Sequence, residues 1–234
     1  MHPRLIKILT ICFLLPEAIL YYFILTAGGT TLVVTSYLAI ILCFLFALLF
    51  GIKHKPLLVG GLAFTVCADY CLVICDPIQQ LWGMVFFLGA QTLYAILLYQ
   101  NQKNKTLLLL RILLIIAIEA ITIAILGSNL DALAVISVCY YANLFMNIVA
   151  AFAQWKKNKL LPIAFVLFIL CDTVIGLQVA SGGYLPISEN SVLHNILFMD
   201  FNLAWFFYLP SQVLIALGCL PKGEQNGTTK ETTL

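Results

Sequence analysis

The chain has 234 residues, of which 63% are hydrophobic and only 9% are charged. Soluble domains are charged at about a quarter of their positions, so this composition excludes an ordinary soluble fold. The formal net charge of +2 comes from basic residues in loops and tails and gives no indication of a nucleic-acid partner. We therefore expect an integral membrane protein whose partners are membrane lipids.

Eight apolar segments follow one another along the chain. Each is about 20 residues long, which is the length a helix needs to cross about 30 Å of hydrocarbon. Because the backbone must satisfy its own hydrogen bonds there, we predict an all-α fold of eight transmembrane helices. The spans are placed near residues 5–26, 31–52, 56–75, 80–99, 107–127, 131–152, 160–180 and 197–220. The first span is too long for a signal peptide and lacks a small-residue cleavage site, so we interpret it as retained.

The basic residues set the predicted orientation. With eight spans, all 12 Lys and Arg residues fall on one side of the membrane, which the positive-inside rule makes cytoplasmic. Both termini and three internal loops are then cytoplasmic, and the polar segment 221–234 is predicted to be a disordered cytoplasmic tail. A bacterial inner membrane and the endoplasmic reticulum both fit this topology, and the sequence leaves the oligomeric state open.

The two halves of the chain resemble each other at a nearly constant offset. The matching residues are Glu17 with Glu119, Tyr37 with Tyr140, Lys53 with Lys156, and Asp69 with Asp172. Gln91 and Gln212 match more loosely, through an insertion of about 18 residues near 181–195. We predict one membrane domain, residues 1–220, built from two tandem four-helix repeats of the same orientation, about 1–103 and 104–220. Chance similarity between apolar helices is the alternative, and the matched polar positions argue against it.

Asp69 and Asp172 lie at the same predicted depth. Asp69 is about 13 residues into the third span and Asp172 about 12 into the seventh, so each carboxyl is roughly 18–20 Å from the cytoplasmic face. A charge there costs several kcal/mol unless it is protonated, paired or hydrated. No Lys or Arg is predicted at that depth, so we expect the two carboxyls to face the bundle interior. If they meet there, they hold one proton between them and supply an acid and a base.

Polar residues of neighbouring spans could complete such a site. Gln91 and Tyr94 are on the fourth span, Tyr140 is on the sixth, and Tyr208 and Gln212 are on the eighth. The tyrosines could instead serve as packing or interface residues. The glutamines could serve only as hydrogen-bonding groups between helices.

Glu17 and Glu119 are also predicted to lie within the membrane. Three roles stay open for them: a position near the cavity entrance, a place in the cavity wall, or a hydrogen bond between helices. Cys67, Cys71 and Cys75 form a stripe on the third helix, but no matching His or Cys pair accompanies them. Packing is the better interpretation of these cysteines, and we predict neither a metal nor a cofactor.

These residues resemble the pattern of the YhhN-like lysoplasmalogenase family from about residue 35 to 218. The family pattern reads here as Lys55-Pro56, Ala68-Asp69, Gln91-Thr92-Leu93-Tyr94, Tyr140, Cys171-Asp172 and Tyr208-Leu209-Pro210-Ser211-Gln212. Three positions depart from it: Ala68 replaces Gly, Cys171 replaces Ser, and Gln91 replaces His. The first two exchange one small residue for another, whereas the third removes a group that could carry a proton.

The resemblance implies hydrolysis of the vinyl ether of a lysoplasmalogen, with Asp69 and Asp172 as catalytic residues. Lys55, Gln91, Tyr94, Tyr140, Tyr208 and Gln212 are the expected substrate-binding residues. Carboxylate acid–base chemistry suits this bond, because a vinyl ether has no electrophilic carbonyl for a nucleophile to attack. Two other functions remain open. Paired acids in tandem halves also suit a proton-coupled transporter, and a structural or regulatory subunit would need neither aspartate.

Overall fold

The structure, a computed structural model, describes residues 3–53, 55–181, 187–188 and 190–220. Within those residues every regular element is a helix and no strand occurs. The segment 221–234, predicted to be disordered, lies outside the described residues.

The helices agree closely with the first seven predicted spans. They are α1 (Pro3–Thr26), α2 (Gly29–Gly51), α3 (Pro56–Asp69), α4 (Gln80–Gln102), α5 (Lys105–Leu126), α6 (Ala132–Phe152), α7 (Leu160–Ser181), α8 (Val192–Leu197) and α9 (Leu203–Leu217). A π-helical turn, Tyr70–Ile74, continues α3. By length and composition, seven of the described helices could cross a membrane. The all-helical, multi-pass character is therefore confirmed, whereas the full count of eight spans stays a prediction.

The eighth predicted segment, 197–220, is not one helix. It starts at the end of α8, is interrupted, and resumes as α9 with only 15 residues, fewer than the about 20 needed to span the hydrocarbon. The side chain of Asn202 caps α9 by accepting a hydrogen bond from the backbone N–H of Trp205 at 3.2 Å. Asn is among the preferred N-cap residues, so a new helix begins here instead of continuing from residue 197.

Helices pack in corresponding pairs in the two halves. In the first half α1 packs on α2, α2 on α3, and α3 on α4. In the second half α5 packs on α6, α6 on α7, and α7 on α9. The halves are joined where α4 packs on α6 and α2 on α9. A duplicated chain would give this correspondence, while the duplication and the common orientation of the repeats stay predictions.

Glycines allow α3 and α4 to approach closely. A Cβ atom on Gly61 would lie 2.1 Å from Cε1 of Tyr94, and one on Gly89 would lie 2.7 Å from the ring of Phe64. At each glycine, the ring of the facing helix therefore occupies the space that a side chain would need. This contact fixes α4 against the helix that carries Asp69.

A candidate active site between two aspartates

Asp69 and Asp172 line the same cavity, which has a volume of about 300 Å³. Asp69 is the last residue of α3, immediately before the π-helical turn, and Asp172 lies within α7. Single π-helical turns occur often at functional sites. The rest of the wall is mainly apolar and includes Leu72, Phe87 and Ile175. No Lys or Arg is among the described residues that line it.

Each aspartate accepts a hydrogen bond from a tyrosine of another helix. The Tyr208 hydroxyl, from α9, donates to Oδ2 of Asp69 at 2.6 Å. The Tyr140 hydroxyl, from α6, donates to Oδ2 of Asp172. Both tyrosines are buried, Asp69 is 3% exposed, and Asp172 is half-buried. The two carboxyls thus share one cavity and have separate tyrosine partners, while the expected sharing of a proton stays a prediction.

Aromatic packing fixes the positions of the two tyrosines. The Phe87 ring, from α4, lies 5.8 Å from the ring of Tyr140 and 6.3 Å from that of Tyr208, centroid to centroid. Phe168 and Trp205 contact Tyr208 edge-on at 5.4 and 5.0 Å. Such pairs add specific geometry to the burial of large rings. The hydroxyls that face the aspartates are therefore carried by rings with little freedom to move.

Four predicted site residues within the bundle lie outside the cavity wall, and of these only Tyr140 contacts an aspartate, through its bond to Asp172. Gln91 is fully buried, and its side-chain and backbone carbonyls accept hydrogen bonds from Asn147 Nδ2 at 2.8 and 2.9 Å. The Tyr94 hydroxyl is buried beside the Thr65 side chain. The Gln212 amide donates to the Ser211 hydroxyl at 3.0 Å. Their contact with substrate stays a prediction, and the contacts described for them are contacts within the helix bundle.

Lys55 is at the far end of α3 from Asp69. Its Nζ donates to the backbone carbonyls of Gly218 and Leu220 at 2.5 and 2.9 Å, just beyond the end of α9. The 14 residues of α3 correspond to about 20 Å along the helix axis. Lys55 is therefore not brought together with the aspartates, and its predicted contact with substrate remains untested.

The two intramembrane glutamates are likewise outside the cavity wall. Glu17 is buried, and its Oε1 accepts a hydrogen bond from the Cys43 thiol at 3.3 Å. Neither carboxyl oxygen of Glu119 has a described hydrogen-bond partner. Of the three roles left open, a hydrogen bond between helices is the one observed for Glu17.

Phe87 and Trp205 belong to the site and were not predicted from the sequence. Phe87 lies four residues before Gln91, as Tyr208 lies four residues before Gln212. The proposed duplication therefore pairs a phenylalanine with the tyrosine that holds Asp69. That alignment of the fourth and eighth spans was the signal that could have identified Phe87. No comparable signal marks Trp205.

The fold and the site define an all-helical protein of multi-pass membrane type with two aspartates in one cavity. The chain belongs to the YhhN family, whose model matches residues 32–219. This range contains both aspartates, both tyrosines and the aromatic residues around them. Comparison with curated proteins found no match, and comparison with solved structures found none either.

Proposed function

We propose that the protein hydrolyses the vinyl ether bond of lysoplasmalogens, releasing a fatty aldehyde and glycerophosphoethanolamine or glycerophosphocholine. One observation carries the proposal: Asp69 and Asp172 line one cavity, and each is positioned by a tyrosine. Membership of the YhhN family, whose pattern suggested this activity from the sequence, supports the same substrate class.

The chemistry starts with protonation of carbon. A protonated carboxyl donates its proton to the alkene carbon that is not bonded to oxygen, and the π electrons form the new C–H bond. The resulting oxocarbenium ion is stabilised by the second, ionised carboxylate. Water then attacks the carbon bonded to oxygen and loses a proton to a carboxylate. The hemiacetal collapses to aldehyde and alcohol, and the overall reaction consumes one water.

The two tyrosines determine which carboxyl oxygens can react. Tyr208 and Tyr140 both donate to Oδ2 of their aspartates, so Oδ1 is the oxygen available to carry or receive a proton. Either aspartate could be the acid, and the proposal assigns the two roles to the pair. In both assignments the tyrosine holds its carboxyl in one orientation, which keeps the reacting oxygen directed at the substrate.

The size and lining of the cavity suit the reacting end of a lipid. Its volume of about 300 Å³ is at the lower limit of small-molecule sites, about 300–1,000 Å³. It would enclose the vinyl ether and part of the alkenyl chain and leave the head group outside. The apolar residues Leu72, Phe87 and Ile175 would contact the chain.

The test is aldehyde release by the purified protein in detergent. We expect release from a 1-alkenyl lysophosphatidylethanolamine and none from the 1-acyl or 1-alkyl analogue, because only the alkenyl chain can be protonated to an oxocarbenium ion. A protein that releases no aldehyde but moves protons across sealed vesicles would instead be the transporter considered above. No turnover in either assay would contradict both functions.

A further inference from the structure

A second cavity lies between α4, α5 and α6, away from the aspartates. It has a volume of about 420 Å³, and Arg111 is the charged residue among those that line it. We call it the α4–α5 groove; its wall includes Leu88, Thr92, Ala95, Ile96, Leu108 and Ile115. None of these residues lines the cavity of Asp69 and Asp172.

The groove is open to the surrounding lipid. No residue of α5 is buried, and both α4 and α5 pack on α6, where Asn143 and Asn147 contact both helices. Ile96, Tyr99 and Leu108 line the groove and are nevertheless 37–40% exposed. In a membrane, an acyl chain could therefore enter sideways between α4 and α5.

Arg111 brings a positive charge into this apolar groove. Its guanidinium donates to the side-chain oxygens of Asn143 and Asn147, which are neutral amides. None of the described residues lining the groove is acidic. Arginine offers five N–H donors, and the described bonds use only Nη1 and Nη2. The charge is held in position by two asparagines and is not neutralised by them.

The groove also has a polar and an apolar end. Gln102 and Asn104 line it at the turn between α4 and α5, next to the exposed Lys103 and Lys105. Arg111 is six residues beyond the start of α5, about 9 Å along the helix. Leu88 and Ile115 lie further from the turn. This order matches a phospholipid, whose phosphate lies near the membrane surface and whose acyl chains extend inward.

We propose that the α4–α5 groove binds a phospholipid from the bilayer, with its phosphate at Arg111 and one acyl chain along Leu88, Ile96 and Ile115. A guanidinium binds phosphate through two parallel N–H groups, and this pairing is stronger than a neutral hydrogen bond. The site is separate from the aspartate cavity, so the proposal does not depend on the hydrolysis proposed above.

The test is lipid binding by the full-length protein, measured by native mass spectrometry in detergent. Dioleoylphosphatidylglycerol is the probe, and dioleoylglycerol, which has the same chains without phosphate, is the comparison. We expect one tightly bound phosphatidylglycerol, at least about tenfold tighter than dioleoylglycerol. Free glycerol phosphate should not displace it, because the chain contributes to binding. Equal affinity for both lipids, or displacement by free glycerol phosphate, would overturn the proposal.

Variants test the charge of Arg111 separately from the contact with the acyl chain. Arg111→Gln should weaken phosphatidylglycerol binding at least about tenfold, whereas Arg111→Lys, which keeps the charge, should weaken it less. Lys7→Gln, at an exposed position of α1, a helix that contributes no residue to the groove, is the matched control and should bind as the unaltered protein does. Equal binding by the Arg111→Gln and Lys7→Gln proteins would refute a site at Arg111.

If Arg111→Gln fails to fold, two variants that add a bulky side chain still test the site. Ala95→Phe should fill the groove and reduce binding with no change in charge. Ala117→Phe adds the same ring on the exposed side of α5 and should leave binding unchanged. Equal losses from both, or none from Ala95→Phe, would exclude the groove as the binding site.

Discussion

The hydroxyl of Tyr208 donates to Oδ2 of Asp69 at 2.6 Å, although the two residues are 139 positions apart in the chain. Asp172 accepts its bond from Tyr140, only 32 positions away. One aspartate is therefore held by a helix of the other half, and the second by its own half. The cavity depends on the halves docking together, because α9 must reach α3 to complete it.

Removing the Tyr208 hydroxyl should reduce hydrolysis without unfolding the protein. In Tyr208→Phe the ring keeps its contacts with Phe87, Phe168 and Trp205, while Asp69 loses its donor. A hydrogen bond to a charged group contributes about 1.5–3 kcal/mol, so we expect aldehyde release to fall by about 10- to 100-fold. The measurement is the rate per folded molecule, checked by size-exclusion chromatography.

The control for that variant is Tyr141→Phe. Tyr141 is exposed, lies next to Tyr140, and bonds the Thr173 hydroxyl at 2.8 Å. Loss of the Tyr141 hydroxyl should leave the rate of aldehyde release within about twofold of that of the unaltered protein, because a surface hydrogen bond contributes little to stability. Tyr141 also does not line the cavity. Equal effects of Tyr208→Phe and Tyr141→Phe would mean that the bond to Asp69 has no special role.

The close contact of α3 and α4 makes Gly61 sensitive to a single methyl group. In Gly61→Ala the new Cβ would fall within 2.4 Å of two ring carbons of Tyr94, and the buried ring has little room to move. We expect destabilisation of about 1–3 kcal/mol, seen as a lower thermal midpoint in detergent. Gly176→Ala, in α7, has open space around the added carbon. A midpoint for Gly61→Ala at or above that of Gly176→Ala would contradict the packing described.

Lys55 should stabilise the fold by its hydrogen bonds to the backbone just beyond the end of α9. Lys55→Met removes two hydrogen bonds from a charged donor to the carbonyls of Gly218 and Leu220, each of which contributes about 1.5–3 kcal/mol at most. The thermal midpoint should fall. Lys53→Met, at an exposed position nearby, should have little effect. If the two variants have the same midpoint, the bonds from Lys55 to the last turn do not stabilise the fold.

The proposed protonation of carbon leaves an isotopic trace. In D₂O, the alkene carbon receives one deuteron from the acid, so the released aldehyde should carry a single deuterium next to its carbonyl. Reducing the aldehyde to the alcohol as it forms prevents later exchange. Mass spectrometry of the alcohol measures the label, and product formed without deuterium at that carbon would rule out acid attack on the alkene.

The aspartates could be predicted from the sequence because charge within hydrocarbon is costly. Asp69 and Asp172 stood out as acids deep in apolar spans, and such residues face the interior of a bundle. Tyr140 and Tyr208 followed from the same pattern. The position of the cavity along α4 was not available from spacing alone. Gln91 and Phe87 are four residues apart and share one face of the helix, but it is Phe87, one turn nearer the start of α4, that lines the cavity.

The break before α9 could not be found by hydropathy. Phe198, Met199 and Phe201 continue the apolar character of α8, and only Asp200 interrupts it. What starts the new helix is a local hydrogen bond from the Trp205 backbone to the Asn202 side chain. The groove at Arg111 was also missed. Arg111 lies within the predicted fifth span, 107–127, but it was used only as one of the basic residues that set the orientation, and its contacts with two asparagines of α6 were not predicted.

The most direct measurement is aldehyde release by Asp69→Asn, Asp172→Asn and the double variant, each purified and folded. If the two carboxyls act on one substrate in one cavity, each single variant should lose at least about 99% of the rate. The double variant should then be no slower than the slower single variant, because groups that act as a unit are not additive. Full activity in either single variant would contradict the account.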